Sequence, residues 1–162
     1  MQDFRQLLHR LADSGFEFVI IGGYAAVTHG SSLVTRDLDI CALLSDETVG
    51  KLRQILAEWH PKHRMTPDKL SFLEFPSSGS VENLHLVTDV GVIDILSSVS
   101  GIGGFARLME SAEDFEIGGR TYHVIGLEDL ITAKEAMGRE KDLLAVKELR
   151  AIAAKRKKPG HY

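Results

Sequence analysis

One stretch, residues 19–40, limits what this chain can fold into more than any other part of the sequence. It reads VIIGGYAAVTHGSSLVTRDLDI and joins an apolar run, a pair of glycines, a segment of small residues and a closing Asp-Leu-Asp. Residues 16–21 predict a buried strand, and residues 24–29 predict a short helix. The glycine pair between them, Gly22-Gly23, leaves backbone N–H groups free at the start of a helix, an arrangement that favours a phosphate.

The closing triplet predicts a site for a hard cation. Side chains alternate across a strand, so Asp37 and Asp39 share one face while Leu38 and Ile40 occupy the other. Two carboxylates roughly 6–7 Å apart at Cα repel each other unless a cation lies between them. Oxygen ligands at this spacing suit Mg²⁺ or Mn²⁺. A phosphate cradle beside paired acids indicates phosphoryl chemistry on a nucleotide.

These residues resemble the signature of the DNA polymerase beta-like nucleotidyltransferase superfamily, and in particular that of its small bacterial members. The matching positions are Gly22-Gly23, His29-Gly30 and Thr35-Arg36-Asp37-Leu38-Asp39. Two positions depart from the pattern. Gly23 stands where many relatives carry Ser, and Leu33 stands where they often carry Arg. The chain therefore lacks one hydroxyl contact to phosphate and one positive charge that the resemblance would imply.

The superfamily places a third acid on a neighbouring apolar strand, and Asp94 is the candidate. It lies in the run Val92-Ile93-Asp94-Ile95-Leu96, where an unpaired charge would be costly to bury. Asp89 is the rival, but its position in a turn explains it without chemistry. The alternative for Asp94 is an acid paired with a buried arginine or bonded to a backbone turn. We expect Asp94 to lie beside Asp37 and Asp39 on one face of the sheet.

Two further residues are candidates for contacts with the nucleotide. Lys134, on a helix, would neutralise triphosphate charge. Small relatives show a similar ending, matched here by Lys134, Arg139, Lys141 and Asp142. The alternative is an ion pair that ties the C-terminal helices to the sheet. Ser31 follows the glycine turn and is the other candidate, although loop serines without a ligand are the commoner case.

The rest of the pattern predicts an α/β protein. Strands are predicted at 71–75, 83–87 and 90–96, the last two joined by a tight turn, and a hairpin turns at Gly118-Gly119. The last helix is predicted to bury an apolar face formed by Leu143, Leu144, Val146 and Leu149. The run Ser77–Ser80 predicts an exposed loop. The resemblance implies the nucleotidyltransferase fold, with a mixed β-sheet and helices packed mainly on one face. We predict a single domain over 1–154 and a basic C-terminal tail over 155–162.

Composition excludes several classes of protein. The formal net charge is −4, which argues against a general nucleic-acid coat protein. Cys41 is the single cysteine among 162 residues, so no internal disulfide forms and a reducing compartment fits best. No signal peptide and no run long enough to span a bilayer is evident. We therefore expect a cytoplasmic protein without a membrane partner.

The resemblance implies an enzyme. It would transfer a nucleoside monophosphate from an NTP, such as ATP, to a hydroxyl acceptor, with two Mg²⁺ (or Mn²⁺) ions held by Asp37, Asp39 and Asp94. Relatives include antibiotic-modifying enzymes and toxins of toxin–antitoxin type, so the acceptor is a small molecule, a protein or an RNA. The alternative is a non-catalytic, antitoxin-like binding module that partners a small helical protein. A homodimer is also compatible with the sequence.

Overall fold

The structure, a computed structural model, describes residues 4–74 and 82–157. In this part of the chain it contains six α-helices and two β-sheets, one of seven strands and one of two. The helices are α1 (Phe4–Asp13), α2 (Gly22–Thr28), α3 (Asp46–Leu56), α4 (Phe105–Ser111), α5 (Leu127–Met137) and α6 (Glu140–Lys157). The strands are β1 (Val19–Ile21), β2 (Asp37–Cys41), β3 (Lys62–His63), β4 (Asn83–Thr88), β5 (Gly91–Leu96), β6 (Ser98–Val99), β7 (Gly103–Gly104), β8 (Glu113–Ile117) and β9 (Arg120–Val124).

The large sheet is mixed, as predicted. Its strand order is β3-β4-β5-β2-β1-β9-β8. The central strand β2 pairs antiparallel with β1 and parallel with β5. The remaining pairs are antiparallel except β1 with β9. The strands that carry the glycine turn and the three acids are therefore neighbours at the middle of the sheet.

Alternation along β2 separates the core from the polar face. Leu38 and Ile40 are fully buried, whereas Asp37 and Asp39 are partly accessible on the opposite face. Leu7, Leu8 and Leu11 of α1 are likewise fully buried, at the helical spacing that the sequence shows. The two hairpins predicted at 88–91 and at Gly118-Gly119 are both confirmed.

Three elements near the site differ from their predicted bounds. β1 begins at Val19 rather than at residue 16, and α2 begins at Gly22 rather than at residue 24. The strand of the acids, predicted over residues 35–44, is confined to Asp37–Cys41; before it, the Thr35 hydroxyl donates to the Asp37 carbonyl at 3.0 Å. The strand predicted at 71–75 is wrong where it is described: Ser71 makes one isolated bridge to Lys62. Residue 75 and the loop Ser77–Ser80 lie outside the described residues.

The last helix buries only part of the predicted apolar face. Val146 and Leu149 are buried, but Leu143 and Leu144 are 48% and 61% exposed. The inward face instead begins with Asp142, which pairs with Arg139 at the start of the helix. α6 continues through Lys157, so residues 155–157 of the predicted basic tail are helical, and residues 158–162 fall outside the described part. Among the described residues, no helix is both long and apolar enough to cross a membrane.

Two leucines of α6 test this assignment of faces. Leu149→Ala should lower the free energy of unfolding by about 2–5 kcal/mol, because it removes a fully buried side chain and leaves a cavity. Leu144→Ala, in the same helix, should change it by less than about 0.5 kcal/mol. Urea denaturation followed by circular dichroism measures both. Equal losses in the two variants would contradict the observed orientation of α6.

Candidate active site

A cleft of about 860 Å³ opens over the centre of the sheet. Its lining includes the β1–α2 junction, one acid from each of β2 and β5, the side chain of His85 on β4, and residues from α5 and the start of α6. The sequence-predicted residues that line it are Gly22, Gly23, Asp39, Asp94 and Lys134. One cleft is thus lined by residues from Ile21 to Ala145 of the chain.

The strand register brings the acids together. Ile21 lies opposite Asp39 across the β1–β2 pair, and Asp39 lies beside Asp94 across the parallel β2–β5 pair. Paired residues of neighbouring strands project to the same side of a sheet, so the two carboxylates share one face. Asp37 projects to that face as well, two residues before Asp39. It is not among the described residues that line the cleft.

The electrostatics of Asp39 reflect this crowding. Burial, followed by the negative charges of Asp94 and Asp37, raises the pKa of Asp39 to about 7. Both causes disfavour the ionised carboxylate, and the nearby Arg64 only partly offsets them. Asp39 is therefore a carboxyl group whose charge the surrounding protein does not compensate.

Asp94, in contrast, has two cationic or polar partners. Arg64 Nη2 donates to Asp94 Oδ1 at 2.5 Å, and His85 Nδ1 contacts the same oxygen at 3.0 Å. The arginine pairing that the sequence left open is thus present, but on the same face as Asp39 rather than on the far side of the sheet. The rival acid, Asp89, lies in the β4–β5 turn and is bonded to His60 at 2.6 Å.

Sequence reasoning missed both partners of Asp94, for different reasons. The predicted turn at 88–91 fixes the register of the hairpin, and that register places His85 directly opposite Asp94. The contact between His85 and Asp94 could therefore have been predicted from the sequence. Arg64 follows the two-residue strand β3 in a segment without any regular periodicity, and no local signal points to its partner.

The glycine pair is required by close packing. Gly22 has φ +66°, and a Cβ at this position would fall on Asp39 Oδ2 and 2.9 Å from Asp39 Cβ. A Cβ on Gly23 would lie 2.8 Å from Thr35 Oγ1. The β1–α2 turn can therefore approach β2 only without side chains. This packing places the first backbone groups of α2 next to Asp39.

Lys134 lies in the cleft, as the sequence predicts. Burial lowers its pKa, while the charges of Asp142 and Asp39 act in the opposite direction. Arg139, rather than Lys134, forms the ion pair with Asp142, at 2.6 Å. The cation of Lys134 thus faces the acids of the cleft without being engaged in the ion pair that holds the start of α6.

The structure does not bring Ser31 into this group. Its hydroxyl donates to Glu148 Oε1 at 2.5 Å, and the hydroxyl of Ser32 donates to Glu148 Oε2 at 2.6 Å. These bonds tie the loop before β2 to α6. Buried His29 is also structural: its Nε2 donates to the Ile125 carbonyl at 2.7 Å.

The donor set fits a hard divalent ion in part. Within residues 4–74 and 82–157, no three His, Cys, Asp or Glu side chains converge closely enough to hold a metal ion by themselves. Asp39 and Asp94 nevertheless supply adjoining carboxylates that are hydrogen-bonded to each other, while Arg64 and His85 both bond to Oδ1 of Asp94. A divalent ion at this pair would need further oxygen ligands, which a triphosphate can provide.

Comparison with known proteins supports the fold. No protein-family model matches the chain, and no curated protein matches its sequence. TM1012 of Thermotoga maritima, itself assigned only provisionally as a nucleotidyltransferase, aligns over 93% of this chain and 96% of its own, with 17% identity and a TM-score of 0.57. The lincosamide antibiotic adenylyltransferase LnuA, with lincomycin bound, aligns over 93% and 98%, with 17% identity and a TM-score of 0.59. The likeness confirms the nucleotidyltransferase fold.

The close approach of Gly22 to Asp39 is open to a direct test. Gly22→Ala should lower the free energy of unfolding by about 1–3 kcal/mol, because the new Cβ meets the Asp39 side chain and the backbone has a positive φ. Gly50→Ala is the matched control, since Gly50 lies in α3 with no atom within 4 Å of an added Cβ. It should stabilise the protein by about 0.5–1 kcal/mol. Thermal and urea unfolding measure both; a neutral Gly22→Ala would contradict the geometry.

Proposed function

We propose that this protein transfers a nucleoside monophosphate from an NTP, such as ATP, to a hydroxyl acceptor and releases pyrophosphate. The observation that carries the proposal is the convergence of the glycine turn, Asp39, Asp94 and Lys134 in one cleft. Paired carboxylates, a turn of backbone N–H groups and a lysine are the groups that phosphoryl transfer on a nucleotide requires.

Each group has a separate task in this scheme. Asp39 and Asp94, with Asp37 on the same face, would hold Mg²⁺ or Mn²⁺ together with oxygens of the triphosphate. When bound, two such ions would neutralise phosphate charge and lower the pKa of the acceptor hydroxyl. The N–H groups at the start of α2 would donate to phosphate oxygens. Lys134 would offset the remaining negative charge of the triphosphate.

The reaction balances as a single displacement at the α-phosphorus. The acceptor oxygen forms a bond to the α-phosphorus, while the bond from this phosphorus to the oxygen that bridges it to the β-phosphate breaks. That oxygen leaves with pyrophosphate, and the hydroxyl proton passes to solvent. The chain's own part is to orient the triphosphate along the cleft and to present the acceptor in line with the leaving group.

The size of the cleft supports a nucleotide with a small acceptor. Small-ligand sites typically measure about 300–1,000 Å³, and this cleft, at about 860 Å³, lies near the upper end. The name of LnuA indicates adenylyl transfer to a lincosamide, which makes small hydroxylated antibiotics the first acceptors to assay here. A protein or an RNA hydroxyl is the second group to assay.

One observation favours a different class of function. Arg64 and His85 already bond to Asp94, as they would in a protein whose fold is kept for binding alone. In that event the chain is a non-catalytic partner of a small helical protein, and neither nucleotide transfer nor nucleotide-dependent stabilisation should be found.

A substitution of the central acid tests catalysis. Asp39→Asn should lower pyrophosphate release with Mg²⁺ and NTP by roughly a hundredfold to a thousandfold or more, because the substituted amide is a poor ligand for a hard cation. Asp89→Asn is the matched control: Asp89 lies in the turn beside His60, so its removal should leave the rate unchanged. Activity in Asp39→Asn equal to that of the wild type would refute the metal-dependent scheme.

Thermal unfolding tests binding without any acceptor. Mg²⁺ or Mn²⁺ together with an NTP at a hundredfold excess over Kd should stabilise the protein by about 2.7 kcal/mol. For a chain of this length this raises the thermal midpoint by roughly 5–10 °C. Metal alone should raise it little, since the protein supplies only part of the ligand shell. No shift with any of the four NTPs at millimolar concentration would favour the non-catalytic partner.

A further inference from the structure

The β4–β5 hairpin, which adjoins β2 through β5, presents a His–Asp pair at the wall of the cleft. His85 on β4 lies directly opposite Asp94 on β5, and its Nδ1 is 3.0 Å from Asp94 Oδ1. Both residues line the cleft, and the Asp94 side chain is only 12% exposed. A carboxylate accepts hydrogen bonds, so Nδ1 donates and Nε2 of a neutral imidazole is left as an acceptor.

Both donors to Asp94 act on a single oxygen. Arg64 Nη2 bonds to Oδ1, the atom that His85 also contacts. Two donors on one oxygen restrict the rotation of the carboxylate about its Cβ–Cγ bond. The other oxygen, Oδ2, then has a defined direction, on the face where Asp39 is the neighbour in register.

The two donors differ in what they do to a cation. Arg64 carries a full positive charge that repels a divalent ion, and its Nε is the one buried side-chain nitrogen or oxygen in the described residues without a hydrogen-bond partner. The guanidinium is therefore incompletely satisfied where it lies. The imidazole of His85 carries no charge when Nδ1 alone is protonated, and in that form it orients the carboxylate without repelling the ion, as the outer partners of metal-binding side chains do in many sites.

We propose that His85 is a positioning residue for cation binding: its Nδ1–H holds Oδ1 of Asp94 and thereby directs Oδ2 toward Asp39, where the cation of the metal–nucleotide complex binds. The inference rests on the proposed function, because it assigns a role within the same site. His85 touches neither the nucleotide nor the reacting atoms in this scheme. It acts through Asp94.

A purely structural role for His85 makes a different prediction. If His85 only compensates the charge of Asp94, its replacement lowers stability and leaves the preference for metal–nucleotide over free nucleotide unchanged. If His85 positions Asp94, the replacement changes that preference. The ratio of the affinities for Mn²⁺·ATP and for ATP alone therefore separates the two roles.

Two amide substitutions make the test specific for Nδ1. Asparagine places its amide nitrogen near the position of Nδ1, whereas glutamine places it near Nε2. His85→Gln should weaken the binding of Mn²⁺·ATP by about 10–100-fold and leave the binding of ATP in EDTA within about twofold. His85→Asn should keep both affinities within roughly threefold of the wild type. Titration calorimetry measures the affinities, and electron paramagnetic resonance of bound Mn²⁺ reports its ligand symmetry.

The chain contains a matched control. His123 Nδ1 lies 2.7 Å from Asp114 Oδ1, across the antiparallel pair β8–β9 and outside the cleft. His123→Gln removes a histidine from the same kind of cross-strand pair and should leave Mn²⁺·ATP binding unchanged. Thermal unfolding of all variants checks that they are folded before binding is compared.

The outcomes are distinct. Unchanged Mn²⁺·ATP binding in His85→Gln overturns the inference, and so does an equal loss in His85→Gln and His85→Asn. A wild-type protein that binds no Mn²⁺·ATP overturns the proposed function itself. A loss confined to His85→Gln, with an altered Mn²⁺ spectrum and an intact His123→Gln, supports the positioning role.

Discussion

The site depends on two carboxylates that the sheet holds side by side. Asp39 and Asp94 are paired in register on parallel neighbouring strands, so neither can move away from the other without breaking the centre of the sheet. Partial burial makes their repulsion stronger than it would be in water. The surrounding residues respond to this constraint: Gly22 has no side chain where Asp39 needs room, and Arg64 and His85 hold Asp94.

The sequence predicted the parts of this arrangement that follow from local rules. Alternation placed Asp37 and Asp39 on one face, and the tight turn at 88–91 fixed the hairpin that contains Asp94. Neither rule predicts contacts between residues that are far apart in the sequence. Arg64 meets Asp94 from 30 residues away, through a two-residue strand and a turn that carry no periodic signal. Partners of this kind become visible only when the strands are assembled.

Because local sequence rules do not reveal long-range contacts, the contacts of other polar residues were not predicted from the sequence. Ser31 follows the glycine turn in sequence and looked like a phosphate ligand, but its hydroxyl donates to Glu148 on the last helix. In α6 the inward positions are set by the packing of the helix, and Asp142 occupies one of them because Arg139 neutralises it. Leu144, although apolar, then faces outward. Apolar periodicity alone could not reveal that a charged pair would take a buried position.

The charges around Asp94 indicate how a divalent ion and a nucleotide would bind in the cleft. Arg64 supplies a positive charge next to Asp94. A divalent ion at Asp39 and Asp94 would be placed close to that guanidinium, and the repulsion would oppose binding of the ion alone. A triphosphate brings several negative charges with the ion, and these charges would offset that repulsion. Ion and nucleotide would therefore enter the cleft together, with His85 keeping Asp94 in place.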